Sequence, residues 1–334
     1  MSRILIALLA ITQAGCVTTD LKMYQLQGAG KPQQAVDLFY QQYPSLEKSD
    51  ANTLLPLCTS LQMMHRFGDF DHCLTAYHQK EDNDLGSALV ETYRAGMYFH
   101  LGIYQKARQQ ALKAIEDDKH PLPLGPYEYL ARVAARQGNN EEALAWTQKL
   151  DELKATVFGI SIAEDSLAEV KRDQKARIYI DLKRPELAEK ELRKPLPGKS
   201  LGEYIFMGVI DYLETDVDRV ASKLTEWAAP EDTENWRFMM EVQTLWTYGQ
   251  VAHANGNHRD AIQSFRRMLN LPNIEQLRIF YVEGLFFLAK AYRDYGDNDK
   301  SSEYAALLEQ AIARDAPNIP WPTERESFKA KYQL

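Results

Sequence analysis

The sequence predicts an all-α protein, a solenoid of about eight helix hairpins laid side by side. The first observation behind this is a recurring pair, a turn residue followed five positions later by a small one. The pairs are Gly30 with Ala35, Gly68 with Cys73, Gly102 with Ala107, Gly138 with Ala143, Lys183 with Ala188, Asp216 with Ala221, Gly256 with Ala261 and Gly296 with Ser301. Successive turn residues are 38, 34, 36, 45, 33, 40 and 40 residues apart. Such intervals hold two helices of about 12 to 15 residues and their short connections. The second observation is that no stretch sustains period-two alternation with strand composition. The apolar run "TVFGISI" at Thr156 to Ile162 is ambiguous; it lies in the longest interval and is read as part of an insertion over residues 151–165.

The clearest unit is "LWTYGQVAHANGNHRDAIQSFRRMLNLP", Leu245 to Pro272. Gly249 falls seven residues before Gly256, Ala261 five after it, Phe265 four further on and Pro272 seven beyond that. Small residues at Gly249 and Ala261 suit two antiparallel helices whose axes approach closely, and Gly256 suits the left-handed turn between them. In "ETYRAGMYFHLGIYQKARQQALKAIEDD", Ala95, Tyr98, Ala107, Ala111 and Ala114 fall at equivalent core positions. The pattern resembles the tetratricopeptide repeat, a helix-turn-helix unit of about 34 residues. That resemblance implies a right-handed superhelix, with N-terminal repeats over 16–150 and C-terminal repeats over 166–315. Stacked repeats need a polar end. Residues 316–334 contain Pro317, Pro320 and Pro322, then "TERESFKAKYQL" with capping-box spacing between Thr323 and Glu326. They predict a capping helix over the eighth unit, touching it through Trp321 and Phe328.

The N-terminus has a different character. Arg3 precedes an apolar run from Ile4 to Ile11 and the small pair Ala14-Gly15, which is a secretory signal layout over residues 1–15. Eight apolar residues make about 12 Å of helix, far short of a bilayer's roughly 30 Å hydrocarbon core. Ala14-Gly15-Cys16 resembles the lipobox of bacterial lipoproteins, although Gln13 stands where that family places an aliphatic residue. The resemblance implies cleavage before Cys16 and acylation of its sulfur. Val17 after the cysteine implies sorting to the outer membrane, with the body facing the periplasm.

The chain has 39 Lys+Arg against 47 Asp+Glu. This balance favours no nucleic-acid partner, since phosphate binding draws on clustered basic charge. Its 45% hydrophobic and 26% charged residues are those of a folded globular protein. Cys58 and Cys73 are too few for a disulfide framework. Read in the Gly68 frame, Cys58 sits on the inner surface and Cys73 points into its hairpin, so their Cβ vectors are expected to diverge rather than to be bridged.

No chemistry-bearing motif survives inspection. His65, Asp69, Asp71, His72 and Cys73 lie within nine residues, yet the repeat frame assigns them to a turn and a core position, so no metal is expected. Glu326-Ser327 resembles the glutamate-serine motif of lytic transglycosylases, but only six residues follow Phe328. There is no Gly-x-Ser-x-Gly, His-Glu-x-x-His or phosphate-binding glycine loop. The chain reads as a non-enzyme without cofactors.

Surface remains. By resemblance to the repeat family, first-helix positions lining a concave groove fall on Gln62, His65 and Arg66 in the second unit, and on Phe99 and His100, with Thr92, in the third. They continue at Glu128, Arg132 and Arg136 in the fourth, Trp246, Gln250 and His253 in the seventh, and Phe286, Lys290 and Arg293 in the eighth. Aromatic and arginine side chains dominate protein-recognition surfaces. Arg132 and Arg136, one helical turn apart, could hold a carboxylate or form a solvated edge. The expected function is a lipid-anchored scaffold binding a protein partner through this groove. The competing expectation is an accessory to enzymes acting on cell wall or polysaccharide, marked by a pocket with two carboxylates about 5 to 10 Å apart.

Overall fold

The computed structural model describes residues 19–81, 84–116, 124–153, 156–157, 160–161, 164–194 and 230–334. The signal layout, Cys16 and the Asp216–Ala221 pair lie outside them. Seven hairpins are described: α1 (Thr19–Gly28) with α2 (Pro32–Gln42), α3 (Ala51–Met63) with α4 (Phe67–Lys80), α5 (Asp84–His100) with α6 (Tyr104–Ile115), α7 (Leu124–Arg136) with α8 (Asn140–Glu152), α9 (Glu164–Asp181) with α10 (Pro185–Leu192), α11 (Pro230–Ala254) with α12 (His258–Leu269), and α13 (Arg278–Tyr295) with α14 (Asn298–Asp315). Helix α15 spans Pro322–Lys331. Between α8 and α9, β1 (Thr156–Val157) pairs antiparallel with β2 (Ile160–Ser161), a two-residue ribbon set into an all-α solenoid. Among the described residues, no helix is long and apolar enough to cross a membrane.

Local chemistry explains where the helices begin. Asp50, Asn139 and Asp297 cap α3, α8 and α14 by accepting the backbone N–H of Thr53, Glu142 and Lys300. Pro32, Pro185 and Pro322 occupy first helical positions, where no N–H is required. Within each hairpin the turn is left-handed at Gly30, Gly102, Gly138, Gly256 and Gly296, with φ between 70° and 94°, and at Lys183, with φ 58°. Close approach is equally specific. A Cβ on Gly249 would stand 2.7 Å from the Phe265 ring, so any larger residue there has to displace that buried ring.

The second hairpin departs from the expected frame. Its left-handed residue is His65 (φ 56°), whereas Gly68 is already inside α4. The intervals flanking this turn are therefore 35 and 37 residues. Gly68 serves a different need, because a Cβ there would lie 3.1 Å from the Pro320 ring. Moving the frame by three residues puts Cys58 seven before the turn, where Ala95, Ala131 and Gly249 lie in their own units. Cys58 is thus a close-approach residue, and it is bonded to Cys73 across a Cα–Cα distance of 5.5 Å. The expected divergence of the two side chains came from the wrong register. A link closing about 15 residues constrains the unfolded chain by about 3 kcal/mol in the loop-entropy account.

The hairpins stack in order, and then the two ends meet. Helix α11 packs against α1 and α9, and α13 against α3. One core cluster joins Met23, Phe39, Leu57 and Phe70 from the first two hairpins to Val282, Leu285, Ile319 and Phe328 from the last part of the chain. The capping helix expected within 316–334 is present and spans further than the eighth unit. Helix α15 forms, but its N-cap is Trp321, with Thr323 inside the first turn. It docks on the eighth unit, where Lys331 Nζ donates to Glu283 at 2.9 Å, and reaches across to the third, where Lys106 Nζ donates to Glu324 at 2.7 Å and Lys331 Nζ to the His100 carbonyl at 3.2 Å.

Candidate functional site

Closure consumes much of the concave face. Glu128 and Arg132 are 6% and 5% exposed and belong to a ladder of charges between α7 and α9. Arg177 donates to both Glu128 oxygens at 2.8 and 3.1 Å, and Arg132 Nη1 donates to Glu128 Oε1 at 3.2 Å. The carboxylate held jointly by Arg132 and Arg136 is the chain's own Asp181, one unit onward, at 2.7 and 3.0 Å. Phe99 is buried between the two guanidiniums, whose centres lie 4.5 and 4.7 Å from its ring centroid. Burial disfavours the charge on Glu128, but Arg177 and Arg132 outweigh it and hold the carboxyl below its ordinary value.

Other expected groove residues are equally occupied. His65 is buried in the displaced turn, its Nδ1 2.8 Å from Asp315 Oδ2. Arg66 pairs with Asp69 beside it, at 2.6 Å. Asp71 pairs with Arg94 at 2.9 Å, so the cluster around Cys73 is dispersed among separate partners. Trp246, 5% exposed, meets Phe280 edge-on at 5.5 Å and lies under Arg177. It packs between units. Gln62 is half-buried, Lys290 sits over Phe286 at 5.2 Å, and Arg293 is exposed. His253 pairs with Asp294 at 2.9 Å.

What remains of the groove is a cavity of about 380 Å³ between the third and fourth units on one side and α11, α13 and α15 on the other. Of the expected residues it brings together Arg136, Gln250 and Phe286; it adds Tyr104, Glu283, Ser327, Lys331 and Tyr332, which sequence reasoning missed. Glu283 had a legible signal, a lone carboxylate in the apolar run from Ile279 to Leu288. Lys331 had none, since its role depends on where the tail docks.

The charges around this cavity are paired. Glu283 accepts from Lys331 Nζ at 2.9 Å. Burial alone would raise its pKa, yet Lys331 brings it down to about 2. Lys331 itself is lowered by desolvation against the pull of Glu283. Two cations, Arg136 and Lys331, thus reach the cavity wall, each already paired with a carboxylate, Asp181 and Glu283. Gln250 is 4% exposed, and its Nε2 has no hydrogen-bond partner. A buried donor without an acceptor costs about 1–3 kcal/mol, so the cavity offers a place where a carboxylate oxygen would be stabilised. Among the described residues, Glu283 is the one carboxylate in this lining.

His100, beside this cluster, gives a pH test. Its Nδ1 is buried without a partner. Desolvation, with Lys331 adding to it, pushes its pKa down to about 3. A histidine depressed below its unfolded value of about 6.5 stays neutral in the fold while the unfolded chain takes a proton, so stability is lost as pH falls through 6.5. Lowering the pH from 7 to 5 should cost about 2 kcal/mol through His100. In urea titrations at both pH values, His100→Gln should remove that difference; an unchanged pH dependence in the variant would refute the assignment. Glu283, held at about 2, stabilises the fold above its unfolded value of 4.5 and loses that contribution as pH falls from there toward 2, below the window of this test.

The family model for the tetratricopeptide repeat matches residues 126–149, most of the α7–α8 hairpin. No curated protein matches the chain.

Proposed function

We propose that the chain is a lipid-anchored scaffold of the cell envelope, held at the outer membrane through Cys16, facing the periplasm and binding a protein partner through what remains of its concave face. The observation behind the binding mode is the cavity's unpartnered Gln250 amide beside Arg136 and Lys331. The helix-hairpin repeat, matched by the tetratricopeptide family, supports a scaffold role, since such repeats generally mediate protein–protein interactions. An acidic segment, or a chain end with its carboxylate, would complete the donors that the fold leaves open. A membrane anchor confines the search for a partner and raises its effective concentration, so modest contacts suffice.

Two measurements test this reading. In cells producing the full chain, labelled palmitate should enter the protein and should be absent from Cys16→Ala; equal labelling of both would remove the anchor. In vivo crosslinking should recover a partner from the wild type and much less from Gln250→Leu, which keeps the side-chain volume but removes the donor. Undiminished recovery from Gln250→Leu would remove the cavity from the proposal.

A further inference from the structure

Away from the cavity, at the α11–α12 and α13–α14 hairpins, three metal-ligating side chains converge. His253 is in the last turn of α11, His258 opens α12 after the Gly256 turn, and Asp294 lies in the last turn of α13. One ring nitrogen from each histidine and one carboxylate oxygen lie within 4.8 Å of one another. The imidazoles stand with centroids 5.5 Å apart, and His253 Nε2 is 2.9 Å from Asp294 Oδ2.

We propose that His253, His258 and Asp294 form a zinc site that ties the seventh hairpin's turn to the eighth hairpin. Two imidazoles and one carboxylate are an ordinary zinc set, with water completing a tetrahedron. The oxygen-rich coordination that calcium or magnesium requires is not available from two rings and a single carboxylate.

Geometry supports closure around the ion. Zinc–nitrogen bonds of about 2.0–2.1 Å put tetrahedral ligands about 3.3 Å apart, so the three atoms need to draw together by about 1.5 Å at most. Asp294 is 37% exposed and His253 13%, and the rotation is that of side chains at helix ends rather than of backbone. His253 is pressed toward its neutral form, mainly by burial, and a neutral imidazole is the ligand form.

His258 adds an independent reason. Its Nδ1 is buried without a hydrogen-bond partner, although the pairing of His253 with Asp294 is itself satisfied. A third ligand is therefore present that the two-residue ion pair does not use. Helix dipoles act both ways. The C-terminal ends of α11 and α13 favour a cation, and the N-terminus of α12 opposes it. Arg293 Nε, 3.6 Å from Asp294 Oδ1, and Lys290 near His253 also oppose it, so the site binds less tightly than a closed four-ligand one.

The chemistry balances without redox. Zinc accepts the Nε2 lone pair of His253; the single proton of the neutral ring, now donated from Nε2 to Asp294, is taken up at Nδ1, and the freed Asp294 oxygen joins the ion.

The test uses the full, untagged chain stripped with chelator and titrated with zinc chloride in a calorimeter. One zinc should bind per chain, with Tm rising by about 5 °C at a hundredfold excess over the dissociation constant. His258→Ala and Asp294→Asn should each weaken binding at least tenfold, and His78→Ala should leave it unchanged. X-ray absorption of the zinc-loaded chain should show two imidazole nitrogens. Should His258→Ala fail to fold by circular dichroism, Asp294→Asn, which keeps the side-chain shape, decides. No saturable binding, binding equal in the wild type and both site variants, or equally tight calcium binding would overturn the site.

Discussion

Asp315→Ala should destabilise the protein by about 3–5 kcal/mol, the range for removing one partner of a buried ion pair. Asp315 is 2% exposed and Arg278 4%. Arg278 Nε reaches both Asp315 oxygens at 2.9 and 3.0 Å, and its Nη2 donates to the Ala311 carbonyl at 3.1 Å. Without the carboxylate a guanidinium is left desolvated in the core. A second loss follows, because His65 is a non-glycine residue in a left-handed turn, a conformation costing about 1–2 kcal/mol. His65 stays there because its Nδ1 donates to Asp315 Oδ2 and its ring stacks on Phe67, 5.0 Å away. Burial lowers its pKa, so the neutral ring has to donate from Nδ1. Urea unfolding of Asp315→Ala against wild type measures the sum. Asp69→Ala, which removes the exposed pair with Arg66, should cost under about 1 kcal/mol. If Asp315→Ala costs no more than Asp69→Ala, the buried triad does not hold the ends of the solenoid together. Arg278→Met with Asp315→Leu should recover part of the loss, since matched apolar residues remove the unpaired charge.

This triad also marks where reading the sequence stopped. Helix hairpins, their number up to the last described unit and most of their turns follow from short-range chemistry: a small residue where axes approach, a left-handed residue between helices, a cap or proline at a start. Gly68 satisfied the same local rule for a different reason. Its missing side chain admits Pro320, about 250 residues away, and nothing within the second unit distinguishes that need from a turn. One displaced anchor then shifted Cys58 off its close-approach position and put His65 in a groove rather than a turn. The candidate site failed on a similar count. The spacing of Arg132 and Arg136 along α7 left a carboxylate holder and a solvated edge open, and says nothing of Asp181 on α9, which both arginines hold. Trp246 was expected in the groove; the surface it fills belongs to α13 through Phe280. Periodicity reports which face of a helix is apolar, not which element covers it. A repeat frame describes neighbours in sequence, and the closure joins elements at opposite ends of it.

The closure itself can be probed at one side chain. Phe328→Ala should cost about 3–5 kcal/mol if the site stays collapsed around the hole, the range for removing a buried phenyl ring. Phe328 is fully buried, edge-on to His65 at 5.5 Å and to Tyr332 at 5.4 Å. A second outcome competes with collapse. Helix α15 has ten residues, too few to persist alone in water. Once its main apolar contact is gone, what holds it is Glu324 with the half-exposed Lys106, and Lys331 with Glu283. An exposed pair contributes under about 1 kcal/mol, and Lys331 gives up a desolvation penalty when released. Undocking then becomes cheaper than keeping the cavity, so the helix should melt locally and cap the global loss below the full phenyl cost. Limited proteolysis separates the two cases: in the variant, cleavage among Lys329, Lys331 and Arg325 should precede global unfolding, whereas the wild-type tail should be cut only as the whole chain unfolds. Because Ser327, Lys331 and Tyr332 leave the cavity with the helix, the same variant widens the concave face and exposes Glu283 without its partner. A tail that resists digestion in Phe328→Ala, together with a loss under about 1 kcal/mol, would mean that α15 is anchored elsewhere and that the filled groove does not depend on this ring.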